Sequence, residues 1–512
     1  MIIYAQTARN FLFLLGIPLL SAFTTRQYER PSEAESADHP NILLILADDL
    51  GYGDLVSYHL TSKVPTPNLD RLAAEGIRFT NAYCPVAVCT PSRYSLMTGR
   101  YAWRSWKKSG VMANYEPSLI EKGRLTLPKM LQQAGYETAG FGKWHLGTTF
   151  PTTDGKPPVG YGKFQDDNNG ANLDFSRALT DGPIDHGFDH WLGFSCASEC
   201  WIFQNDRVMG AIIHDLYTIE AAHGKEQLQH IPLAGYLPFI TEKSIDYIQS
   251  RTEKENPKPF FLYFAPYVPH IPLTVSADFI GKTQAGAYGD YVHELDHYIG
   301  QLLATLDRLG LSDNTLVLFA SDNGSQFLST SPEDDAKKAS NSPLDILKEI
   351  PLDAHRPNFP FQGNKWTAYE GGVHTPLIAR WPGHFPQGKT SSQLIALNDV
   401  LPTLADLLGQ PLTDHAAEDG YNLLPAFYGK KIKNGARETL VVQSSGKDFG
   451  LRWGKWKYIK GAEKQTTSPN DPICELYDLS SDPGETHNLY LKEPKVVTKM
   501  QAMLTEIMQD SQ

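Results

Sequence analysis

The chain has 512 residues, of which 41% are hydrophobic, and a formal net charge of -12 at pH 7. A single hydrophobic core rarely grows beyond roughly 250 to 300 residues, so the length predicts two domains. The acidic balance, without a long Lys/Arg run, argues against binding of nucleic acid, and a site for an anionic substrate must concentrate its positive charge locally.

The N-terminus has the pattern of an export signal. Arg9 precedes the apolar stretch FLFLLGIPLL, and the small residues Ser21 and Ala22 follow it. Because this stretch is short for a membrane span, we expect a signal peptide over residues 1–24, a linker over residues 25–39, and an exported protein in the periplasm or outside the cell. The alternative is a frayed apolar helix. No later stretch is typical of a membrane span, so we expect no stable membrane insertion.

Short apolar runs then alternate with amphipathic segments. The runs Asn41–Ala47, Pro259–Ala265 and Thr315–Ser321 are typical of strands buried on both faces, as in a parallel sheet. The segments TPNLDRLAAEGI, TLPKMLQQAGY and YVHELDHYIGQLLATLDRLG have helical periodicity, and Gly135 and Gly310 suit the C-terminal ends of the last two. This order predicts an open α/β sheet with helices on its faces, over residues 40–437.

The pattern changes from about Glu438. The segments TLVVQSSG, FGLRWGKWKYIKG and ELYDL predict short strands joined by turns, and a helix is expected over Pro494–Met508. Residues 438–512 are therefore predicted to form a smaller α+β domain, an antiparallel sheet plus a helix.

Acidic and amide side chains follow two of the predicted strands directly. Asp48 and Asp49 come after the first, and Asp322 and Asn323 come after the strand that ends at Ser321. Carboxylates that meet at the carboxyl edge of a sheet repel one another unless a cation neutralises them. Ca²⁺, or alternatively Mg²⁺, suits these oxygen ligands better than zinc. The alternative is that each pair only caps a helix or forms a turn.

A second set of residues is basic. Lys143 and His145 are two positions apart in GKWHLG, Lys365 lies in GNKWTAYEGG, His270 follows the second strand, and Arg93 lies four residues after a cysteine. Together they could hold a tetrahedral oxyanion. Taken singly, a surface lysine or a hydrogen-bonded core histidine is the competing interpretation.

That cysteine, Cys89, begins the segment CTPSRYSLMTGR, which resembles the signature of formylglycine-dependent sulfatases. In that signature Cys, any residue, and Pro-Ser-Arg direct oxidation of the cysteine, with Thr-Gly-Arg downstream. The resemblance extends to ILADDLGYGD, PTPNLDRLAAEGIRFTNAY, GKWHLG, VPHIP, SDNG, KWTAYEGGVHTPLIARWPG and LYDLSSDPGETHNL. It implies an alkaline-phosphatase-like fold, with a large mixed sheet flanked by helices, and a partner enzyme that generates formylglycine.

The resemblance also implies that Cys89 acts as an aldehyde and not as a thiol. The hydrated aldehyde carries two hydroxyls, of which one attacks sulfur and expels the alcohol. The other then loses its proton, so that the C–O bond breaks, sulfate leaves and the aldehyde returns.

The same resemblance assigns the site residues. Asp48, Asp49, Asp322 and Asn323 would bind Ca²⁺ together with residue 89, and Asp322 could accept the proton of the diol. Arg93 would orient residue 89, and Lys143 and Lys365 would neutralise the sulfate oxygens. His270 is expected to protonate the leaving alcohol, and His145 is expected to be the base in the second step.

The substrate is expected to be a sulfated sugar. Tyr115, two residues before a proline, resembles a tyrosine that lines the active site of N-acetylgalactosamine-6-sulfatases, and GFDHWLGF resembles the same group. With Lys143, His270 and Lys365, Tyr115 completes the predicted substrate-binding set. A 6-O-sulfated galactose or N-acetylgalactosamine unit of a glycan is the best match. The side chains of Trp191, Trp201, Asn205 and Arg207 could line a sugar pocket or could pack a loop.

Three alternatives remain at this point. A phosphoester hydrolase of the same superfamily would share the Asp/Asn pattern, although it would normally keep Ser or Thr as nucleophile. A catalytically silent sulfoglycan-binding relative would lack at least one of the charged residues, and an unmodified Cys89 would leave a folded but nearly inactive enzyme. Cys196 and Cys200 could close a small disulfide loop or remain buried thiols.

Overall fold

The computed structural model describes residues 39–164, 168–196, 198–213, 228–332, 353–432, 435–461 and 474–509. Residues 39–512 form one compact unit. The predicted signal peptide lies outside the described residues, as does the predicted linker except for His39. Among the described residues, no helix is long and apolar enough to cross a bilayer.

The described residues contain seventeen strands and nine α-helices. The strands are β1 (Asn41–Ala47), β2 (Ile77–Phe79), β3 (Ala82–Tyr83), β4 (Glu137–Lys143), β5 (His190–Phe194), β6 (Trp201–Gln204), β7 (Arg207–Ile213), β8 (Gln229–Pro232), β9 (Phe260–Ala265), β10 (Thr315–Ser321), β11 (Leu377–Arg380), β12 (Lys389–Ser391), β13 (Ile395–Ala396), β14 (Thr439–Gln443), β15 (Phe449–Trp453), β16 (Trp456–Lys460) and β17 (Cys474–Asp478). The helices are α1 (Pro67–Glu75), α2 (Cys89–Thr98), α3 (Leu127–Gln133), α4 (Leu233–Thr252), α5 (Gly286–Arg308), α6 (Glu370–Val373), α7 (Val400–Leu407), α8 (Leu424–Phe427) and α9 (Pro494–Gln509).

Eleven strands form one large mixed sheet in the order β12-β2-β11-β10-β1-β9-β4-β5-β6-β7-β8. The five central strands, from β10 to β5, run parallel. Antiparallel pairs occur on both sides of this centre, where β11 pairs with β10 and with β2, and β6 pairs with β5 and with β7. The three predicted strands are confirmed as β1, β9 and β10, and each is buried along its whole length.

The two faces of the sheet carry separate hydrophobic cores, since alternate residues of a strand point to opposite faces. Leu44 and Leu46 of β1 belong to the core that contains residues of α2, α3 and α7. Leu43 and Ile45 belong to the core that contains residues of α1, α4 and α5. The helices predicted from periodicity are confirmed as α1, α3 and α5. The chain turns after α3 and α5 at Gly135 and Gly310, where φ is +90° and +69°.

The C-terminal segment forms the predicted antiparallel sheet, with strand order β14-β15-β16-β17. Val497, Met500 and Leu504 of α9 lie on one face of the helix and pack in the same core as Leu451 of β15. The predicted antiparallel sheet with one helix is therefore confirmed. The predicted boundary between residues 40–437 and 438–512 stays a prediction, because this sheet shares its core with one face of the large sheet.

Candidate active site

The candidate site lies at the carboxyl ends of β1 and β10. These strands pair in parallel with Ala47 opposite Ser321, so the residues that follow them emerge side by side. The backbone N–H of Asp322 donates to the carbonyl of Ala47 at 3.1 Å. The backbone N–H of Asp49 donates to Asp322 Oδ1 at 3.2 Å. The structure therefore brings together the two polar pairs that are 273 residues apart in the chain.

The oxygen atoms of this site fit a hard divalent cation. Asp48, Cys89 and Asp322 each offer one ligand atom, and these atoms lie within 4.8 Å of one another. Asp48 Oδ1 and Asn323 Oδ1 are buried and accept no hydrogen bond. Buried oxygens are normally satisfied, so two orphaned acceptors beside a carboxylate cluster are the pattern that a cation would complete. Asp49 keeps its Oδ1 occupied, since it accepts from Asn323 Nδ2 at 2.7 Å.

Cys89 is the first residue of α2, and all ten residues of this helix are buried. Its Sγ lies 3.2 Å from His145 Nδ1. Arg93, one turn later on the same face, has a fully buried side chain whose Nη2 lies 2.8 Å from Asp322 Oδ2. Arg93 Nη1 also donates to the carbonyl of Lys143 and to the hydroxyl of Tyr263 at 3.1 and 3.2 Å. These bonds fix α2 against the ends of the central strands.

Two buried lysines complete the charge balance. Lys143 is the last residue of β4, and its Nζ donates to Asp48 Oδ2 at 2.6 Å. Lys365 lies in the loop before α6, and its Nζ donates to Asp49 Oδ2 at 2.6 Å. Burial alone would lower the pKa of each lysine, but the paired carboxylate raises it above the ordinary value. Both lysines are therefore ammonium ions at neutral pH.

The surrounding groups shift the pKa values of Asp48 and Asp322 in opposite directions. Burial would raise the pKa of Asp48, but Lys143 and the other neighbouring cations hold it well below its ordinary value. Burial and the charge of Asp48 raise the pKa of Asp322, although Arg93 acts in the opposite direction. A divalent cation in contact with both carboxylates would lower the pKa of Asp322 and keep it ionised.

The two histidines contact different members of this cluster. His145 Nε2 lies 3.1 Å from the carbonyl of Met112, while its Nδ1 faces Cys89. His270 Nδ1 lies 2.6 Å from the carbonyl of Ile271, and its Nε2 lies 3.7 Å from Asp49 Oδ2. Burial and the charge of Lys365 lower the pKa of His270 to about 3. His270 is thus a neutral imidazole that turns Nε2 toward the site.

Comparison with known proteins decides the family. The model named Sulfatase matches residues 40–410, and the model named N-sulphoglucosamine sulphohydrolase, C-terminal, matches residues 362–512. The chain belongs to the sulfatase family. It is a sulfuric ester hydrolase.

Two curated relatives and one solved structure illustrate the similarity. An N-acetylgalactosamine-6-O-sulfatase of Bacteroides thetaiotaomicron is 32% identical, with 98% of this chain and 99% of the relative covered. Human arylsulfatase A is 34% identical, with 88% and 83% covered. A solved structure described under the metabolism of multiple glycosaminoglycans by Bacteroides thetaiotaomicron matches with a TM-score of 0.76 and 30% identity, covering 92% of this chain and 99% of its own.

Tyr115 of this sulfatase lies outside the hydrogen-bonded cluster. Its side chain is 3% exposed, and its hydroxyl accepts from Trp201 Nε1 at 2.9 Å. Its backbone N–H donates to Glu199. Its contact with substrate stays a prediction. Trp191 and Trp201 are fully buried in the core, so their rings pack the fold.

The other two residues that could line a sugar pocket lie on the hairpin between β6 and β7. Asn205 Oδ1 accepts from the backbone N–H of Trp191 at 2.9 Å. Arg207 Nη1 donates to the carbonyl of Ser176 at 2.7 Å. These bonds support the loop-packing alternative for both side chains.

Three participants in the site carry no sequence signal. The carbonyl of Met112 holds His145, the hydroxyl of Tyr263 accepts from Arg93, and the ring of Tyr267 lies 5.1 Å from Lys143 Nζ. A backbone carbonyl is the same in every residue, Tyr263 is placed by the pairing of β9, and Tyr267 lies just after that strand. None of the five cysteines, all of which lie in the described part of the chain, forms a disulfide, and Cys196 and Cys200 are both buried, which favours the buried-thiol alternative for this pair.

Proposed function

We propose that this sulfatase removes the 6-O-sulfate from a galactose or N-acetylgalactosamine unit of a glycan, using formylglycine made from Cys89 and a bound Ca²⁺. The observation that carries the proposal is the position of Cys89 at the start of α2. There its Sγ lies within 4.8 Å of a carboxylate oxygen of Asp48 and of Asp322, close enough to share one cation with them, and 3.2 Å from His145 Nδ1. A structural cysteine would not need two carboxylates and a histidine around it.

The residues present fit both groups. Asp48, Asp49, Asp322 and Asn323 would hold Ca²⁺, which would acidify a hydroxyl of residue 89 and draw electrons from the sulfate. Formylglycine, once hydrated, supplies an oxygen nucleophile and a second hydroxyl through which the sulfate can be released. Mg²⁺ could occupy the same oxygen ligands, although it demands a more regular octahedral geometry.

The protein's own residues supply orientation and proton transfer. Arg93, held by Asp322, fixes the direction of residue 89, and Lys143 and Lys365 stabilise the negative charge on the sulfate oxygens. His145 accepts a proton from residue 89 through Nδ1, which lies 3.2 Å from Sγ of the unmodified residue.

His270 would donate a proton to the leaving alcohol through Nε2. Its low pKa makes the ring neutral, and the carbonyl of Ile271 can only accept, so the one ring proton lies on Nδ1 and Nε2 carries none in the free enzyme. An anionic sulfate ester placed against it would raise its pKa and favour the protonated form. The structure therefore supports a histidine that becomes an acid only when substrate is bound.

The choice of sugar rests on relatives named N-acetylgalactosamine-6-sulfatase, among them the enzyme of Bacteroides thetaiotaomicron and that of human. The resemblance of the segment around Tyr115 to that group adds support. Conversion of Cys89 requires a formylglycine-generating enzyme as partner, and the N-terminal pattern supports export to the periplasm or the cell exterior.

Three measurements test the proposal. Protein produced with a formylglycine-generating enzyme should show the mass of formylglycine at residue 89 in peptide mass spectrometry. That protein should release sulfate from 6-sulfated N-acetylgalactosamine or galactose faster than from the 4-sulfated isomers. Calcium removal should abolish the release.

The matched control uses two cysteine variants. Cys89→Ser, made in a host without a serine-type maturation system, should lose sulfate release, whereas Cys474→Ser in β17 should keep it. Full turnover by Cys89→Ser would overturn the assignment of the nucleophile. Equal rates on the 4- and 6-sulfated sugars would overturn the substrate assignment alone.

A further inference from the structure

The backbone of Met112 contacts two residues that adjoin Cys89, namely Thr90, which follows it in the chain, and His145, which contacts its side chain. It is 1% exposed and lies in the loop between Arg104 and Leu127. Its backbone N–H donates to Thr90 Oγ1 at 3.0 Å. Its carbonyl lies 3.1 Å from His145 Nε2. One buried peptide segment is thus tied to the residue that follows Cys89 and to the histidine that contacts Cys89.

The bond to Met112 sets which nitrogen of His145 carries the proton. A carbonyl can only accept, so Nε2 must be the donor, and in the neutral ring Nδ1 then keeps its lone pair. Nδ1 is the nitrogen that faces residue 89. The base function proposed for His145 needs this tautomer, because the other tautomer would present an N–H to residue 89.

The hydroxyl of Thr90 makes a different hydrogen bond from two other hydroxyls of α2. Ser95 and Thr98, in the same helix α2, donate to the carbonyls of Pro91 and Tyr94, which lie four residues earlier. Thr90 instead accepts a bond from a residue 22 positions away. Without this acceptor, the N–H of Met112 would be buried and unsatisfied, and the loop would have to move to pair it.

We propose that Thr90 is a positioning residue, whose hydroxyl holds Met112 so that the Met112 carbonyl fixes the tautomer and orientation of His145. The proposal rests on the proposed function, in which His145 accepts a proton from residue 89. Cys196 Sγ lies 3.7 Å from the same carbonyl and 3.7 Å from His145 Nε2. A thiol is a weak donor, so it leaves the imidazole N–H as the main partner of the carbonyl.

The kinetic test compares Thr90→Val, which keeps the shape and removes the acceptor, with Thr90→Ser, which keeps the hydroxyl. Thr241→Val is the matched control, since Thr241 is equally buried and its hydroxyl donates to Leu237 within α4. Rates are divided by the formylglycine content measured by mass spectrometry, because Thr90 lies inside the maturation signature.

We expect kcat of Thr90→Val to fall by about tenfold to a hundredfold, with KM nearly unchanged, because a small misplacement of a catalytic group affects the reacting state most. Thr90→Ser and Thr241→Val should keep the parent kcat. If Thr90→Val does not fold, Thr90→Ala removes the same acceptor and is used instead. A parent-like kcat per matured site in Thr90→Val, or in Thr90→Ala where that replaces it, would overturn the proposal.

A second readout needs no activity. In protein that keeps the Cys89 thiol, ¹⁵N-labelled histidine spectra, with His145 assigned by its loss in His145→Gln, report which ring nitrogen is protonated. Parent and Thr90→Ser should show Nε2 protonated, and Thr90→Val should lose this signature. An unchanged signature in Thr90→Val would overturn the proposal. Retained turnover in matured His145→Gln would instead overturn the base function of His145. That result would count against the proposed function, whereas the spectra test the role of Thr90 separately.

Discussion

Replacement of Lys457 by methionine should destabilise the fold more than any other single loss of a lysine charge in the C-terminal sheet. Lys457 lies on β16, and its Nζ is 2.9 Å from Glu370 Oε1 and 2.8 Å from Glu485 Oε1. All three side chains are at most 2% exposed. Removing one partner from a buried ion pair costs about 3–5 kcal/mol, because the remaining charge is left without compensation. Methionine keeps most of the volume, so cavity formation adds little.

The magnitude should depend on pH. Burial raises the pKa of Glu485 to about 7, whereas Lys457 and its neighbours hold the pKa of Glu370 well below its ordinary value. In Lys457→Met the two carboxyls lose the one cation that pairs directly with both of them, and a proton relieves their repulsion. The loss in free energy of unfolding should therefore be largest above pH 7 and should shrink toward pH 5.

Urea denaturation followed by tryptophan fluorescence measures this effect, once reversibility has been established at each pH. Lys455→Met is the control, because Lys455 is 51% exposed and pairs with Asp478 at the surface. Such a pair is worth about 0–1 kcal/mol. If Lys457→Met loses no more stability than Lys455→Met above pH 7, the buried triad does not stabilise the fold and the reasoning is wrong.

Three further predictions concern the site and its surroundings. Burial raises the pKa of Glu199 from 4.5 to about 8. The contribution of Glu199 to the free energy of unfolding is therefore full below pH 4.5 and is lost as pH rises to 8. The parent should lose on the order of a few kcal/mol over that range, measured by denaturation at each pH, and Glu199→Gln should not. Parallel curves of stability against pH for the two proteins would contradict this. Calcium at about 100 times its Kd should stabilise the parent by roughly 2.7 kcal/mol in thermal unfolding. Asn323→Ala should lose most of this stabilisation. The same stabilisation in Asn323→Ala and in the parent would exclude Asn323 as a ligand. Lys365→Ala should lower kcat by about a hundredfold with a smaller change in KM, and an effect on KM alone would mean that Lys365 only binds the ester.

The central part of the fold was predictable because its strands are buried on both faces. Such strands are uninterrupted apolar runs, and β1 and β10 have the bounds that the sequence predicts. The outer strands were not predicted individually. β2 and β12, for example, have three residues each and are positioned by partners far away in the chain. The position of the site followed from one rule, that polar residues after parallel strands meet at the carboxyl edge.

The pairing inside the site could not be predicted in the same way. Lys143 could have contacted any of the three carboxylates, and only the register of β4 against β9 decides that it meets Asp48. The partner of His145 is a backbone carbonyl, which no residue type announces. Sequence similarity identifies which residues take part, whereas geometry decides which nitrogen or oxygen of each residue is available.

The charge of the site explains how an acidic protein can bind an anionic substrate. Three carboxylates of the site pair with three cations, Asp48, Asp49 and Asp322 with Arg93, Lys143 and Lys365. With all six ionised the site is neutral, although the chain carries a formal charge of -12. Addition of the proposed divalent cation would make the site doubly positive, enough to receive a singly charged sulfate ester and a nucleophile that loses a proton. The lysines alone would attract the ester only weakly, because each already neutralises a carboxylate. The proposed cation would thus supply the excess positive charge that the lysine–aspartate pairs lack, so that local charge, not the net charge of the chain, would determine which substrate binds.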